Sequence, residues 1–314
     1  MVTNEIERLI DKGYSPGMSF LKPIAINIHD DIAYETYRVP RDPIKLHELR
    51  LRAHRFEGYV GYDVLDASDQ IRRNVQPGKR GRQVEAKFVR TIGVNAKDVG
   101  VVIQAIVDVS VGGQKKRGLD IGVKAIDPGF RNRDIGTYLL IYALLEHEGI
   151  NFVTGQSRNG RVFAYLEKVR DLGLIGKIRG YEEPLTDKDL DVLEQTLSKT
   201  KFNKVNQLRT GLCLGIYPEA DSKLFLAPEK DENAKRIVDN LEKLGVKPGG
   251  RNGIRYFADV NQEAVEALKP VCIEGDEAVY QKFMEAASKG EAELIAPVKL
   301  IAQKFINTFL RSRR

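Results

Sequence analysis

The chain is poor in cysteine and has no long apolar run. Among its 314 residues only Cys213 and Cys272 are cysteines. That is too few for a disulfide framework, and neither has a second metal-binding residue at the spacing of a structural metal site. No stretch of about 18 apolar residues occurs, which excludes a membrane-spanning helix. The opening MVTNEIERLIDKG lacks the basic-then-apolar plan of a secretory signal. These absences predict a cytoplasmic, reducing location and no membrane partner.

What is present is globular: 42% hydrophobic and 30% charged residues. The length suits one large domain or two ordinary ones. The net charge is +6 and the pI near 9.1, a mild excess with an uneven distribution. Basic residues gather at Arg72-Arg73, at Lys79-Arg80-Gly81-Arg82, at Lys115-Lys116-Arg117 and at Arg311-Ser312-Arg313-Arg314. Such runs form either a solvated surface or a groove that faces phosphate, nucleic acid included.

Periodicity divides the chain into elements. A short helix is expected over Asn4–Lys12, then a turn, and a first strand over Pro23–His29. Asp42-Pro43 suits a helix start, and Ile44–Phe56 follows with Leu46, Leu49 and Ala53 on one face. His47 and His54 fall on the other side, where histidine is ordinarily a surface residue. The stretch 69–82 reads as an exposed basic loop or flap. Val84–Val94 and Val99–Val111 read as two long strands, with Gly112–Gly118 as the turn into a third. Beyond Gly173, the expectations are a strand over Ile175–Tyr181 and a helix from Thr186, as N-cap, to Lys199. Strands are expected at Gly211–Tyr217, Lys223–Ala227 and Gly253–Val260. Helices are expected at Asn233–Leu244, ended by Gly245, at Gln262–Leu268, and with breaks over 278–310.

The organising stretch runs from Asp120 to Gly173. A strand, Asp120–Asp127, is ended by Pro128-Gly129. The polar loop Phe130-Arg131-Asn132-Arg133-Asp134-Ile135-Gly136-Thr137 leads into a helix, Tyr138–Glu148, then a strand, Ile150–Thr154, and a helix from Asn159 to about Leu172. Such a unit points backbone N–H groups and a helix N-terminus at an anion. With the antiparallel strands before it, the β-α-β crossover makes a mixed sheet.

Ile126-Asp127-Pro128-Gly129-Phe130-Arg131-Asn132-Arg133-Asp134-Ile135-Gly136 resembles the acetyl-CoA pyrophosphate loop of the GCN5-related N-acetyltransferases (the GNAT superfamily). That pattern runs apolar residue, x, Pro, x, aromatic, then Arg/Gln-x-x-Gly-x-Gly/Ala. Pro128, Phe130, Arg131 and Gly136 match it, while Asp134 stands where the family has its first glycine. The resemblance extends to Gly173. It implies an α/β (α+β) fold: a mixed, largely antiparallel sheet, an acetyltransferase-like βαβα core over 1–182, and an extra α/β C-terminal region over 183–314. That region is either an unrelated extension or a degenerate second acetyltransferase-like half, since Lys223–Leu226 and Asn233–Val246 resemble the strand-then-helix end of the family's fold.

The resemblance also implies acetyl-CoA or another acyl-CoA as cosubstrate, held at Ile126, Arg131, Asn132, Arg133, Asp134, Ile135, Gly136 and Thr137, with no metal. The family's strand before the loop polarises the thioester carbonyl through a backbone N–H, and a tyrosine of the second helix protonates the leaving thiolate. The family pattern there is Asn-x-x-Ala-x-x-apolar-Tyr-x-x-x-Gly. Asn159 fits its start, Tyr165 falls one position early and Gly173 late, so the catalytic candidates are Tyr165 and Asn159. Glu85, Asp108 and Asp120 are candidate bases that spacing does not separate. The implied activity is N-acyl transfer to an amine on a small molecule or protein. The basic residues Arg72, Arg73, Lys79, Arg80 and Arg82 leave nucleic acid open as acceptor. A carboxylate in the phosphate cradle leaves open a non-catalytic binding protein that has lost the cofactor.

Overall fold

A computed structural model describes residues 23–29, 31–56, 82–92, 96–131, 133–197, 209–217 and 232–269. The expectations for Asn4–Lys12, most of the basic flap with Arg72, Arg73, Lys79 and Arg80, Asn132, Lys223–Ala227 and 278–310 lie outside these residues.

The described residues build a mixed α/β fold around one sheet of eight strands. These are β1 (Ala25–His29), β2 (Ile32–Arg38), β3 (Arg82–Thr91), β4 (Asp98–Val111), β5 (Gln114–Ile126), β6 (Ile150–Ser157), β7 (Leu212–Cys213) and β8 (Gly253–Asp259). Their order across the sheet is β1-β2-β3-β4-β5-β6-β8-β7. Every pairing is antiparallel except β5–β6. That one parallel junction follows from the crossover helix between the two strands, as the β-α-β pattern requires. Strand β8, from the C-terminal region, pairs directly with β6.

Helices cover both faces. On one side lie α1 (Pro43–His54) and α4 (Asp187–Thr196), which place Leu49, Ala53, Leu190 and Leu193 against Phe88, Val101 and Phe257. On the other lie α2 (Ile135–Glu146), α3 (Gly160–Asp171), α5 (Glu232–Lys243) and α6 (Gln262–Lys269), packed over Leu119, Ile121, Val153 and Tyr256. Helix α2 buries every residue from Leu139 to Leu145, so it reads as apolar all round rather than as an amphipathic stripe.

Local chemistry sets most boundaries. Asp42 caps α1 through Ile44 and Lys45 N–H, both 3.0 Å from its carboxylate. Thr186 and Asp189 form a reciprocal capping box on α4. Gly112 and Gly113, at φ +57° and +80°, make the two-residue turn that joins β4 to β5 with the twist both strands need.

Four expectations are corrected. The turn after β4 is Gly112-Gly113 alone, because Gln114–Gly118 pairs with β4 residue by residue. Backbone pairing, not side-chain apolarity, carries the strand through Lys115–Arg117. Arg82 belongs to β3 rather than to the flap, paired opposite Val107. Ile175–Tyr181 is not a strand: it meets β8 and its end only at isolated bridges, Ile175 with Val260 and Arg179 with Phe257. The strand expected over Gly211–Tyr217 is reduced to Leu212–Cys213.

Candidate functional site

The sheet opens where the site begins. Strands β5 and β6 pair from Arg117–Ile150 to Ile121–Gly155 and no further, although β5 continues to Ile126 and β6 to Ser157. Opposite, the β4–β5 register shifts between Val102 and Gln104, and a bulge of this kind bends a strand away from its neighbour. Residues 122–126 of β5 therefore leave β6 and run along the mouth of a wedge.

The wedge leads to the loop before α2. Asp127 accepts a hydrogen bond from Gly129 N at 2.9 Å and starts a short 3-10 turn, Pro128–Phe130. Arg131 folds back so that its Nε donates to the Ile126 carbonyl at 3.2 Å. Arg133 is exposed and reaches Asp31 at 2.5 Å. The Phe130 ring packs against the core, with Lys97 Nζ 5.2 Å and the Arg133 guanidinium 5.6 Å from its centroid. The carbonyl of Asp134 accepts from Thr137 N and Tyr138 N at 2.9 and 3.1 Å. The N–H groups of Asp134, Ile135 and Gly136 have no partner among the described residues, as expected for a helix start open to a ligand.

Asp134 occupies the left-handed region, at φ 54° and ψ 14°. This is the backbone reason a glycine belongs there, and Asp is among the few other residues that tolerate it. Its side chain makes no cap hydrogen bond. It turns instead to α3 and pairs with Lys168. The carboxylate that would repel a phosphate thus has a cation beside it. Thr137, in the first turn of α2, is 6% exposed, and its hydroxyl is buried with no hydrogen-bond partner among the described residues.

At the inner end of the wedge two tyrosines meet. Tyr165 of α3 is buried, and its hydroxyl forms no well-directed hydrogen bond although it lies beside Tyr256 of β8. Burial raises both phenols above the ordinary tyrosine range, Tyr256 further through Tyr165. Both hydroxyls therefore stay protonated at neutral pH. Two glycines make room for them. A Cβ on Gly136 would stand 3.1 Å from the Tyr165 ring, and one on Gly155 would stand 2.3 Å from the Tyr256 hydroxyl. Lys124, on β5, reaches Gly136 and Tyr165: its Nζ lies 3.3 Å from the Gly136 carbonyl oxygen and 3.3 Å from the centroid of the Tyr165 ring.

The other sequence candidates separate from this centre. Asn159 is the N-cap of α3 and accepts from Arg161 N at 3.0 Å. Asp120 is buried between Arg82 and Arg255, at 2.9 and 3.0 Å. These guanidinium groups hold its carboxyl below the usual range against the upward pull of burial. Glu85 is buried and hydrogen-bonded to His147 at 2.9 Å, and His147, Gln83 and Gln104 together outweigh desolvation to lower its pKa. Asp108 is exposed and bound to Arg117. Asp108, Arg117 and His147 line a cavity of about 510 Å³ at the end of β5 away from the loop. His47 and His54 are exposed on α1. Lys124 and Tyr256 were not found from the sequence. A lone charge in the alternating run Ile121–Ile126 is the signal for Lys124, whereas Tyr256 is brought in only by the sheet.

No family model matches the chain, and no curated protein does. Among solved structures, the chain is similar to Arabidopsis thaliana NAA60 in complex with a bisubstrate analogue. That match has 13% identity and a TM-score of 0.36, over 73% of this chain and 99% of that one. Tetrahymena GCN5 matches at 11% identity and a TM-score of 0.33, over 55% and 89% of the two chains. The AtaT toxin bound to the C-terminus of the antitoxin AtaR and acetyl-CoA matches at 12% and 0.31, over 51% and 90%. With antiparallel strands β2 to β5 entering the loop, a single parallel β5–β6 junction and α2 and α3 in sequence after it, the chain has a mixed α/β fold like that of the GCN5-related N-acetyltransferases.

Proposed function

We propose that this chain transfers an acyl group from acetyl-CoA or another acyl-CoA to an amine on a small molecule or protein. The observation that carries this reading is the wedge: the edge of residues 122–126 away from β4, unpaired among the described residues, running from two buried tyrosines to a helix start whose first N–H groups have no partner among those residues. Acyl-CoA supplies a thioester, two amides that suit an unpaired strand edge, and a pyrophosphate that suits the helix start.

In this reading the N–H groups of Ile135 and Gly136, with the α2 dipole, hold the pyrophosphate. The Thr137 hydroxyl donates there, which gives a buried polar atom its missing partner. Arg131, Asn132 and Arg133 add charge-assisted and amide hydrogen bonds. Asp134 keeps the left-handed turn while Lys168 offsets its charge. The β5 backbone near Ile126 polarises the thioester carbonyl. Tyr165, protonated at neutral pH, donates to the departing thiolate. Asn159 fixes the start of the helix that presents Tyr165. Residues beyond 182 serve the same site through Tyr256, and we infer that they form one functional unit with those before.

Calorimetry with acetyl-CoA and desulfo-CoA tests the reading. Binding at about millimolar affinity or tighter is expected, weakened in Arg131→Ala. Absence of heat from folded protein at any attainable concentration overturns it.

A further inference from the structure

Lys124 is not used by the chemistry above, and its surroundings are unusual for a lysine. Its neighbours Val123 and Ala125 point to the α1/α4 face of the sheet and pack or are buried there, so Lys124 points into the layer beneath α2 and α3. There its amine touches a carbonyl oxygen and the face of an aromatic ring, and no carboxylate lies within ion-pair distance among the described residues. The carboxylate of the loop, on Asp134, is taken by Lys168. The ring face favours the ammonium form, while burial favours the free amine. With no anion to hold the proton, burial wins and the pKa falls well below the ordinary lysine value.

We propose that Lys124 is an acyl-acceptor site within this chain, modified by the acyl-CoA held in the wedge. The inference rests on the reading given under Proposed function. It follows from three placements: the amine is on the strand segment that leaves β6, it is against the first turn of α2, and it is over the ring of the tyrosine assigned to the thiolate. In the step, the Nζ lone pair attacks the thioester carbonyl carbon. A C–N bond forms and the C–S bond breaks. Coenzyme A leaves as the thiolate and takes up a proton through the Tyr165 hydroxyl, which is replenished by the proton that Nζ sheds. Amine and thioester become amide and thiol, with no other reactant. The product is uncharged and larger than the amine, in a space already bounded by Gly136 and the Tyr165 ring. Acylated Lys124 therefore occupies the wedge and opposes binding of the next acyl-CoA.

The test uses the full chain, incubated with acetyl-CoA without acceptor, with peptide mass spectrometry and a thiol-release assay in parallel. The expected result is a single acetyl group on Lys124, matched by one equivalent of released thiol. Lys124→Arg should release none, and Tyr165→Phe should acylate about 100-fold more slowly. Calorimetry on the acetylated protein should show weakened acetyl-CoA binding. Two outcomes overturn the proposal while leaving the cosubstrate reading intact: acetyl-CoA binds and Lys124 stays unmodified, or acetyl groups spread evenly over exposed lysines. Loss of acetyl-CoA affinity in Lys124→Arg with no acylation of the wild-type chain also overturns it, by making the amine a phosphate contact. If acetyl-CoA does not bind at all, both readings fall. A parallel arm with an N-hydroxysuccinimide ester then reports whether Lys124 is a reactive amine in its own right.

Discussion

Asp134 carries two effects in one residue, and three substitutions separate them. The first is backbone. A non-glycine residue in the left-handed region costs about 1–2 kcal/mol, with Asp and Asn at the low end. The second is charge. The Asp134–Lys168 pair is half exposed, at 43% and 51% of the two side chains, so it contributes only about 0–1 kcal/mol after solvent screening. In Asp134→Gly the relief of about 1 kcal/mol is offset by the lost pair and by the freedom glycine gains when unfolded, about 0.5–1 kcal/mol. Its stability should stay within about 1 kcal/mol of the wild type. Asp134→Ala loses the pair and gains nothing, so it should be destabilised by about 1–2 kcal/mol. Asp134→Asn keeps the turn and removes the charge. Urea unfolding reads the stability, and calorimetry with coenzyme A reads the ligand. Gly and Asn should both bind several-fold tighter, since one nearby charge is worth about 1 kcal/mol and Lys168 is released toward the phosphate. Weaker binding by Asp134→Asn, or an Asp134→Gly protein less stable than Asp134→Ala, would refute this reasoning.

Other expectations follow from buried groups. Tyr165→Phe removes a buried hydroxyl that makes no well-directed hydrogen bond to its neighbour Tyr256, so stability in urea unfolding should change by no more than about 1 kcal/mol, while acyl transfer falls. Arg52 is buried, and its guanidinium lies 2.8 Å from Glu35 and 2.6 Å from Asp98. Arg52→Met takes the guanidinium from both carboxylates, leaving Glu35 with the Tyr37 hydroxyl at 2.6 Å and Asp98 with Arg90 at 3.3 Å, and should lose about 3 kcal/mol in chemical denaturation. Glu85 and Asp120 both have lowered pKa values when folded, so their contribution is present above the unfolded pKa of about 4 and is lost as pH falls through the folded values. Unfolding free energy should therefore drop on acidification below about pH 4. In His147→Ala the largest influence lowering Glu85 is gone, so its folded pKa moves back toward the unfolded value, the protein is less stable at neutral pH, and Glu85's share of the acid loss shrinks. A Gly155→Ala side chain would meet Tyr256 Oη and, at 2.8 Å, the Ile121 carbonyl oxygen. That variant should lose about 1–3 kcal/mol and bind coenzyme A less well.

Sequence patterns reached the meander and the crossover because those elements are written in local code. The Val and Ile runs of β3 and β4, the glycine pair between β4 and β5, and the cap Thr186 each specify an element without reference to anything distant. The loop before α2 was legible for the same reason, down to the residue at which it departs from the acetyl-CoA loop pattern it resembles. What escaped depends on partners far along the chain. Polar Lys115–Arg117 is strand because β4 supplies its hydrogen bonds. Ile175–Tyr181 is apolar enough for a strand, yet its backbone pairs with β8 and its end only at Ile175, Gly176 and Arg179. The role of Asp134 required φ and the position of Lys168, and periodicity carries neither. Tyr256 lies 91 residues beyond Tyr165, and only the β6–β8 pairing brings it to the same wedge.

The parting of β5 from β6 also makes the sheet two leaves joined at a short spine. One leaf is β1 to β5 and the other is β6, β8 and β7, and among the described residues their only strand pairing runs from Arg117–Ile150 to Ile121–Gly155. On the open side of that spine the sheet is missing part of a strand, with donors and acceptors that a chain of amides would match. A ligand carrying such amides would complete the sheet as it bound, stitching the leaves together. Its footprint in amide hydrogen exchange should thus extend along the spine residues of both leaves, well past the atoms it touches.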